Sequence, residues 1–183
     1  MSRLRGRLPW AGVRALVTDV DGVLTDGGLY YAESGHELKR FDVRDGQGLV
    51  LLREAGVRVA IVTRKQSTIV SRRARDLGIA DVHQDVADKA TTVRELLARL
   101  AVAPRDAVYV GDDVGDLPAM ALVGLPVAVR DAVPAVRHAA RYVTRAPAGH
   151  GAIREICDLI LTARLRQELK LPAGDARRRA RRP

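Results

Sequence analysis

The sequence has few aromatic residues, a single cysteine and no long apolar segment. Aromatic residues make up only 3% of the 183 residues while hydrophobic residues reach 47%, so the core must be aliphatic. The lone Cys157 excludes an internal disulfide and fits a reducing compartment. No apolar run approaches the length of a membrane-spanning helix, so we expect a cytoplasmic protein without membrane contact.

The positive charge of the chain lies mainly at its two ends. The formal net charge is +9, and residues 1–14 supply four arginines without an acid, while residues 172–183 supply five arginines and one aspartate. Arginine-rich ends beside proline and glycine are typical of solvated, disordered chain. We therefore predict a basic arm over 1–13, a folded domain over 14–166 and a basic disordered tail over 167–183. We expect no specific nucleic-acid partner. No apolar segment follows the N-terminal arginines, so we do not expect them to belong to a secretory signal.

Short apolar runs alternate with amphipathic segments along the body of the chain. Strands that alternate with helices form βαβ units, so we predict a Rossmann-like α/β fold in which two helix layers cover a parallel sheet. Asp45 and Asp88 each precede an amphipathic segment and are predicted to cap helices. The predicted strands begin at Ala15 and continue at 57–62, around Val82, and at 107–110, 126–129 and 142–143. The predicted helices run from Asp45 to about Ala55, over 66–77, from Asp88, and over 118–122, 133–139 and 152–165.

A β-hairpin is predicted between the first strand and the first helix. Two short strand-like runs at 28–32 and 37–42 flank a turn that contains Gly35. Tyr30 and Tyr31 lie in the first of these runs. An isolated hairpin is only marginally stable in water, so we expect it to pack against another surface, such as a second subunit.

Two carboxylates follow the first predicted strand. Asp19 and Asp21 are spaced i, i+2 and so share one side of an extended chain, and Gly22 permits a sharp turn after them. Neighbouring carboxylates repel when buried unless a cation lies between them, and oxygen ligands suit Mg²⁺. On these residues alone, a simple Asp-x-Asp-Gly turn or a loose Ca²⁺ loop is an alternative.

Further polar residues are predicted at the same edge of the sheet. Thr63 and Asp112 follow predicted strands, and Lys89 opens a helix just after another one. Ligands of open α/β sheets bind at the carboxyl ends of the strands, so these residues are predicted to converge with Asp19. Taken singly, each has an ordinary alternative: a capping threonine, a solvated lysine, or a turn at Asp112.

The order of these motifs resembles that of the haloacid dehalogenase superfamily of phosphatases. The matching elements are the Asp-x-Asp-Gly-Val-Leu-Thr-Asp run at 19–26, Thr63, Lys89 and the Gly-Asp-Asp-x-x-Asp run at 111–116. The resemblance extends over about residues 14–165. It implies a Mg²⁺-dependent phosphoric monoester hydrolase that works through an aspartyl-phosphate.

The same resemblance implies a role for each residue. Asp19 is expected to be the nucleophile, and Asp21 the general acid that protonates the leaving alcohol and then the base that deprotonates water. Asp112 is expected to bind the metal together with Asp19 and the backbone carbonyl of Asp21. Thr63 and Lys89 are expected to bind the phosphoryl oxygens and stabilise the transition state.

Few residues separate these motifs, so no cap domain is expected. Asp113 and Asp116 are expected to support the metal site. The hairpin and the segments 41–48 and 149–155 resemble a capless subgroup that acts on eight- and nine-carbon acidic sugar phosphates. That resemblance implies a 2-keto-3-deoxy sugar phosphate as substrate, in the first place 3-deoxy-D-manno-octulosonate 8-phosphate, with a nine-carbon sialic-type sugar 9-phosphate as the alternative. It also implies a homotetramer in which neighbouring subunits complete each site.

Four basic residues are expected near the sugar: Arg44, Lys65, His150 and Arg154. Two of them depart from the subgroup's common pattern. The subgroup commonly has Thr-Gly-Arg where this chain has Thr63-Arg64-Lys65, and it commonly has Gly-Arg-Gly where this chain has Gly149-His150-Gly151. The departures leave the phosphatase chemistry in place and leave the identity of the sugar open. A phosphatase of small phosphoesters without a dedicated sugar is a further alternative. A non-catalytic interaction module is also possible, but the intact set of motif residues argues against it.

Overall fold

The computed structural model describes residues 8–170 and contains a six-stranded parallel sheet flanked by helices. The strand order is β5-β4-β1-β6-β7-β8, and a separate antiparallel pair, β2-β3, forms the predicted hairpin. The α/β prediction without a cap domain is confirmed. The strands are β1 (Ala15–Thr18), β2 (Tyr30–Tyr31), β3 (Glu37–Leu38), β4 (Arg58–Val62), β5 (Asp81–His83), β6 (Ala107–Gly111), β7 (Leu125–Ala128) and β8 (Tyr142–Val143). The helices are α1 (Val43–Glu54), α2 (Thr68–Asp76), α3 (Lys89–Arg99), α4 (Leu117–Met120), α5 (Pro134–Ala139) and α6 (Ala152–Glu168).

The central strands are buried along their whole length, which explains their continuous apolar sequences. Every residue of β1, β6 and β7 is buried, and so are the last four of β4. Helix α1 packs against α6, and α3 packs against α4. As predicted, the core is almost entirely aliphatic; Tyr109 of β6 is one of its few aromatic residues.

The predicted cap of α1 was wrong, and the correction links two distant parts of the chain. Asp42 is the N-cap, since its side chain accepts a hydrogen bond of 2.7 Å from the backbone N–H of Arg44. Asp45 lies inside the first turn and is buried. Its carboxylate instead accepts hydrogen bonds from the backbone N–H groups of Gly151 (3.1 Å) and Arg154 (2.7 Å) at the start of α6. Asp45 therefore fastens the beginning of α6 to α1.

Part of the predicted basic arm is packed onto the domain. Trp10, in a short 3₁₀-helix, is buried against α6, and its ring meets that of Tyr142 edge-to-face at a centroid distance of 5.3 Å. Helix α6 continues to Glu168, inside the predicted tail. The rest of the predicted arm and tail, residues 1–7 and 171–183, lies outside the described residues. Between residues 8 and 170, no helix is both long enough and apolar enough to cross a membrane.

The hairpin presents large apolar side chains to solvent. Its two strands pair Tyr30 with Leu38 and Tyr31 with Glu37. Tyr31 is 67% exposed and Leu38 62% exposed, and Leu29 just before the hairpin is 62% exposed. The hairpin of a single chain therefore leaves large apolar side chains uncovered.

Candidate active site

The register of the sheet brings the motif residues to one edge. Strand β1 lies between β4 and β6, and Thr18 at its end pairs with Ile61 and Val110 near the ends of those neighbours. The residues that follow the three strands are Asp19, Thr63 and Asp112. Because the strands are parallel, these residues meet at the carboxyl edge of the sheet. This is the edge that the sequence predicted.

A buried lysine joins two carboxylates at the centre of this edge. The ammonium group of Lys89 lies 2.7 Å from Asp19 Oδ2 and 2.7 Å from Asp116 Oδ1, with only 3% of its side chain exposed. Burial opposes the charge of Lys89, but the two carboxylates outweigh this effect and raise its pKa. The other oxygen of Asp19 accepts a 2.7 Å hydrogen bond from the backbone N–H of Val20. Asp19 is therefore held from two sides, by Lys89 and by the backbone of Val20.

Asp116 is the residue that organises this edge, although the sequence suggested only a supporting role. Its Oδ1 accepts hydrogen bonds from Lys89 (2.7 Å) and from the hydroxyl of Tyr109 (2.8 Å). Its Oδ2 accepts from the backbone N–H groups of Asp112 (3.0 Å) and Asp113 (3.3 Å). The carboxylate thus fixes the loop that carries Asp112. Tyr109 was missed by sequence reasoning because it looks like any other core residue of an apolar strand.

Asp113 lies at the surface of the same loop. Its side chain accepts a 2.7 Å hydrogen bond from the backbone N–H of Val114 and caps the short 3₁₀-helix that leads to Asp116. Its contribution is therefore to the shape of the loop. A direct supporting role at the metal stays a prediction.

Three carboxylates are close enough to share a cation. Ligand oxygens of Asp19, Asp112 and Asp116 all lie within 4.8 Å of one another. Burial raises the pKa of Asp112 to about 7, and the neighbouring carboxylates of Asp116 and Asp19 add to the rise. A divalent cation with oxygen ligands relieves this repulsion, so the residues present fit Mg²⁺. Asp116 already accepts four hydrogen bonds, which makes Asp19 and Asp112 the better metal-binding side chains.

Asp21 points its carboxylate towards the hairpin. Its Oδ1 forms an ion pair with Lys39, whose side chain is only 2% exposed. Lys39 also lies 3.4 Å from Glu37 Oε1, and the same oxygen accepts a 2.6 Å hydrogen bond from Lys65. Lys39 was not singled out in the sequence, because its spacing from Asp21 carries no recognisable pattern.

The basic residues predicted to contact the sugar fall into two places. Arg44, His150 and Arg154 line a groove of about 1210 Å³ between α6 and the N-terminal 3₁₀-helix, whose lining does not include Asp19 or Lys89. Arg44 is held by Asp42 at 2.8 Å, and Arg154 by Asp158 at 2.9 Å. Lys65 lies apart from them, on the hairpin side of the site.

The glycine segment before α6 contacts the loop that follows the nucleophile. The backbone N–H of Gly149 donates a 3.1 Å hydrogen bond to the carbonyl of Val23, and Arg40 donates to the carbonyl of Gly149 at 2.6 Å. Gly149 has a φ of +61°, and a Cβ there would lie 2.5 Å from the backbone nitrogen of Asp26. Only glycine permits this approach, so residue 149 must be glycine for the segment to contact the loop after Asp19.

Gly22 is required by a similar close approach. Its φ is +80°, and a Cβ on this residue would lie 2.1 Å from Asp112 Oδ2. We expect Gly22→Ala to displace Asp112, to reduce activity by at least about tenfold and to lower the free energy of unfolding by about 1–3 kcal/mol. Activity assays and thermal melts would measure both effects.

Gly12→Ala is the control for this substitution. A Cβ on Gly12 meets nothing within 4 Å, so activity and melting temperature should stay close to those of the wild type. A fully active Gly22→Ala variant would contradict the assigned position of Asp112.

Comparison with known proteins identifies the family. A family model described as haloacid dehalogenase-like hydrolase matches residues 59–156. The 3-deoxy-D-manno-octulosonate 8-phosphate phosphatase of Yersinia pestis is 48% identical over 153 residues, which cover 84% of this chain and 82% of that protein.

Solved structures agree with this comparison. The crystal structure of the Yersinia pestis phosphatase superposes with a TM-score of 0.84 at 46% identity and covers 87% of this chain and 86% of its own. A structure of the phosphatase from Moraxella catarrhalis, in complex with a magnesium ion, a phosphate ion and a KDO molecule, also has a TM-score of 0.84, at 36% identity and with coverage of 88% and 92%. The chain therefore belongs to the haloacid dehalogenase-like hydrolases, in the family of the 3-deoxy-D-manno-octulosonate 8-phosphate phosphatases.

Proposed function

We propose that this protein is a Mg²⁺-dependent phosphatase that hydrolyses 3-deoxy-D-manno-octulosonate 8-phosphate. The observation that carries the proposal is the position of the Lys89 ammonium between Asp19 and Asp116, with the Asp112 carboxylate beside them. This arrangement supplies an anionic nucleophile, a fixed positive charge and a cation site at one point. The named activity of the relatives supports the substrate.

In the first step Asp19 attacks the phosphorus atom. An Asp19 oxygen forms a bond to phosphorus, the bond from phosphorus to the sugar oxygen breaks, and Asp21 gives that oxygen a proton. The product is the free sugar and an aspartyl-phosphate. In the second step a water oxygen forms a bond to phosphorus while Asp21 takes a proton from the water. The bond between the Asp19 oxygen and phosphorus breaks, which releases inorganic phosphate and restores the Asp19 carboxylate.

The remaining residues stabilise charge and hold the reacting groups. Lys89 would bind a phosphoryl oxygen, and its contact with Asp19 supports this role. Thr63, buried directly after β4, would donate its hydroxyl to another phosphoryl oxygen. Asp19, Asp112 and the backbone carbonyl of Asp21 would hold Mg²⁺. When bound, the cation neutralises the repulsion between the nucleophile and its anionic substrate.

Phosphate release from a panel of sugar phosphates would test the substrate. We expect kcat/KM for 3-deoxy-D-manno-octulosonate 8-phosphate to exceed that for a nine-carbon sialic-type sugar 9-phosphate and for p-nitrophenyl phosphate by at least about tenfold, a ratio worth about 1.4 kcal/mol. A preference for the nine-carbon sugar would show that the substrate differs from that of the relatives, and Lys65 and His150 would then be the residues that explain the change. Equal rates on all substrates would mean that the phosphatase has no dedicated sugar.

We also propose that the chain assembles as a homotetramer through its hairpins. The exposed side chains of Leu29, Tyr31 and Leu38 support this proposal, because they leave large apolar groups uncovered on both faces of the hairpin. In a single chain the side chain of Asp21 keeps 32% of its surface exposed, and a neighbouring subunit would exclude water from it. We place the assembled protein in the cytoplasm, in keeping with its single cysteine.

A charge inserted in the hairpin tests this assembly. Tyr31→Asp should shift the protein from tetramer to smaller species in sedimentation experiments at micromolar concentration, because it buries a carboxylate at the contact. Leu165→Asp is the matched control, since Leu165 is 55% exposed on α6, away from the hairpin. A wild-type protein that is monomeric and fully active would refute the tetramer.

A further inference from the structure

The hairpin brings a buried positive charge to the proposed general acid. The Lys39 ammonium contacts Asp21 Oδ1 and lies 3.4 Å from Glu37 Oε1, while its side chain is only 2% exposed. Glu37 in turn contacts Lys65 at 2.6 Å. Four charges of alternating sign therefore run from Asp21 through the hairpin to the end of β4.

The orientation of the Asp21 carboxylate depends mainly on its contact with Lys39, whereas Asp19 and Asp116 each have several partners. Asp19 is fixed by Lys89 and by the backbone N–H of Val20, and Asp116 accepts four hydrogen bonds. The carboxylate of Asp21 is 32% exposed, and over residues 8–170 Lys39 is its hydrogen-bonding partner. The side chain belongs to a turn, where the backbone alone does not fix its direction.

The contact involves one oxygen of Asp21 and leaves the other available. Lys39 binds Oδ1, so Oδ2 can carry the proton that the leaving alcohol needs. An ammonium group is a compact point charge and holds one oxygen, whereas a guanidinium often grips both. The choice of lysine, and its burial in the hairpin, therefore suit a carboxylate that must be oriented and still exchange a proton.

We propose that Lys39 is a positioning residue that orients Asp21 for proton transfer to the leaving-group oxygen. The inference rests on the proposed phosphatase reaction and deepens it. While the bond from phosphorus to the sugar oxygen breaks, the proton passes from Asp21 to that oxygen, and Lys39 keeps its own proton. Lys39 thus acts through Asp21 and leaves the attack by Asp19 unchanged.

The test compares two leaving groups. An alkyl alcohol leaves slowly unless it is protonated, whereas p-nitrophenolate leaves readily without a proton. If Lys39 orients the general acid, Lys39→Met should lower kcat/KM about 100-fold for the sugar phosphate, within the range of general acid catalysis, and by less than about fivefold for p-nitrophenyl phosphate. The selectivity should appear in kcat/KM, which reports formation of the aspartyl-phosphate, and Asp21→Asn should show the same selectivity. The kcat can fall for both substrates, because Asp21 also deprotonates water in the second step.

Two further variants separate positioning from structure. Lys39→Arg keeps the charge and should recover part of the activity lost in Lys39→Met. Glu37→Gln breaks the hairpin's other ion pairs but leaves Lys39 on Asp21. It also releases Lys65, which is expected near the sugar, so a loss confined to the sugar phosphate should appear in KM, with kcat little changed for either substrate. Sedimentation and thermal melts would verify assembly and folding, and Lys39→Gln replaces Lys39→Met should the latter not fold.

Each outcome decides between the two proposals. An equal loss of kcat/KM for both substrates in the folded Lys39 variants, or a loss of kcat confined to the sugar phosphate in Glu37→Gln, would overturn the positioning role and leave the phosphatase assignment intact. A wild-type protein that hydrolyses neither substrate would overturn the phosphatase assignment itself.

Discussion

Asp19→Asn is expected to reduce turnover by at least about 10³-fold while the fold is retained. The amide of asparagine is a poor nucleophile and a weaker ligand for a hard cation than a carboxylate. The substitution keeps the size of the side chain, and it removes one of three crowded carboxylates. Burial raises the pKa of Asp19, although Lys89 opposes the rise, so the loss of this charge should cost the fold little.

Phosphate release under saturating substrate would measure this effect, and circular dichroism would verify the fold. Asp81→Asn is a suitable control, because Asp81 lies on β5 at an edge of the sheet and forms an ion pair with Arg99 at the end of α3. A surface pair of this kind contributes about 0–1 kcal/mol, so this variant should remain active. Wild-type activity in Asp19→Asn would exclude the aspartyl-phosphate mechanism.

Removal of divalent cations should have an effect of similar size. Without a cation, the anionic nucleophile meets an anionic phosphate beside two further carboxylates, Asp112 and Asp116. We expect EDTA to reduce phosphate release to background and added Mg²⁺ to restore it. Full activity after exhaustive dialysis against chelator would mean that the acidic cluster is not a metal site.

The same cluster predicts how pH acts on metal binding. Since burial raises the pKa of Asp112 to about 7, protons compete with Mg²⁺ for this carboxylate below that pH. The Kd for Mg²⁺ should therefore increase as the pH falls from 8 to 6, as calorimetry can measure. In Asp112→Asn both the affinity and its pH dependence should decrease.

The free energy of unfolding of the metal-free protein should depend on pH through the carboxyl group of Asp112. Its pKa is about 3.9 in an unfolded chain and about 7 in the folded protein, so the folded state binds more protons between these values. The free energy of unfolding should then fall as the pH rises from about 4 to about 7. Mg²⁺ should offset this loss, and should raise the melting temperature more at pH 8 than at pH 6.

The sequence by itself determined the fold and the edge of the sheet at which the motif residues meet. Apolar runs that alternate with amphipathic segments specify a parallel sheet, because continuous burial is what such strands require. Once β1, β4 and β6 are strands, the residues after them must meet at one edge. For this reason Asp19 and Asp112 could be placed together from their order in the chain, where the structure groups them with Asp116, and the family assignment was confirmed.

Only the tertiary structure decided which partners hold these groups. Asp45 had the appearance of a local helix cap, yet its carboxylate binds the start of α6. Tyr109 appeared to be an ordinary core residue, yet its hydroxyl holds Asp116. Lys39 lies on a hairpin and reaches Asp21 through space. Hydrogen bonds between residues far apart in the chain depend on how helices, strands and loops pack together. The spacing of residues along the sequence does not predict that packing.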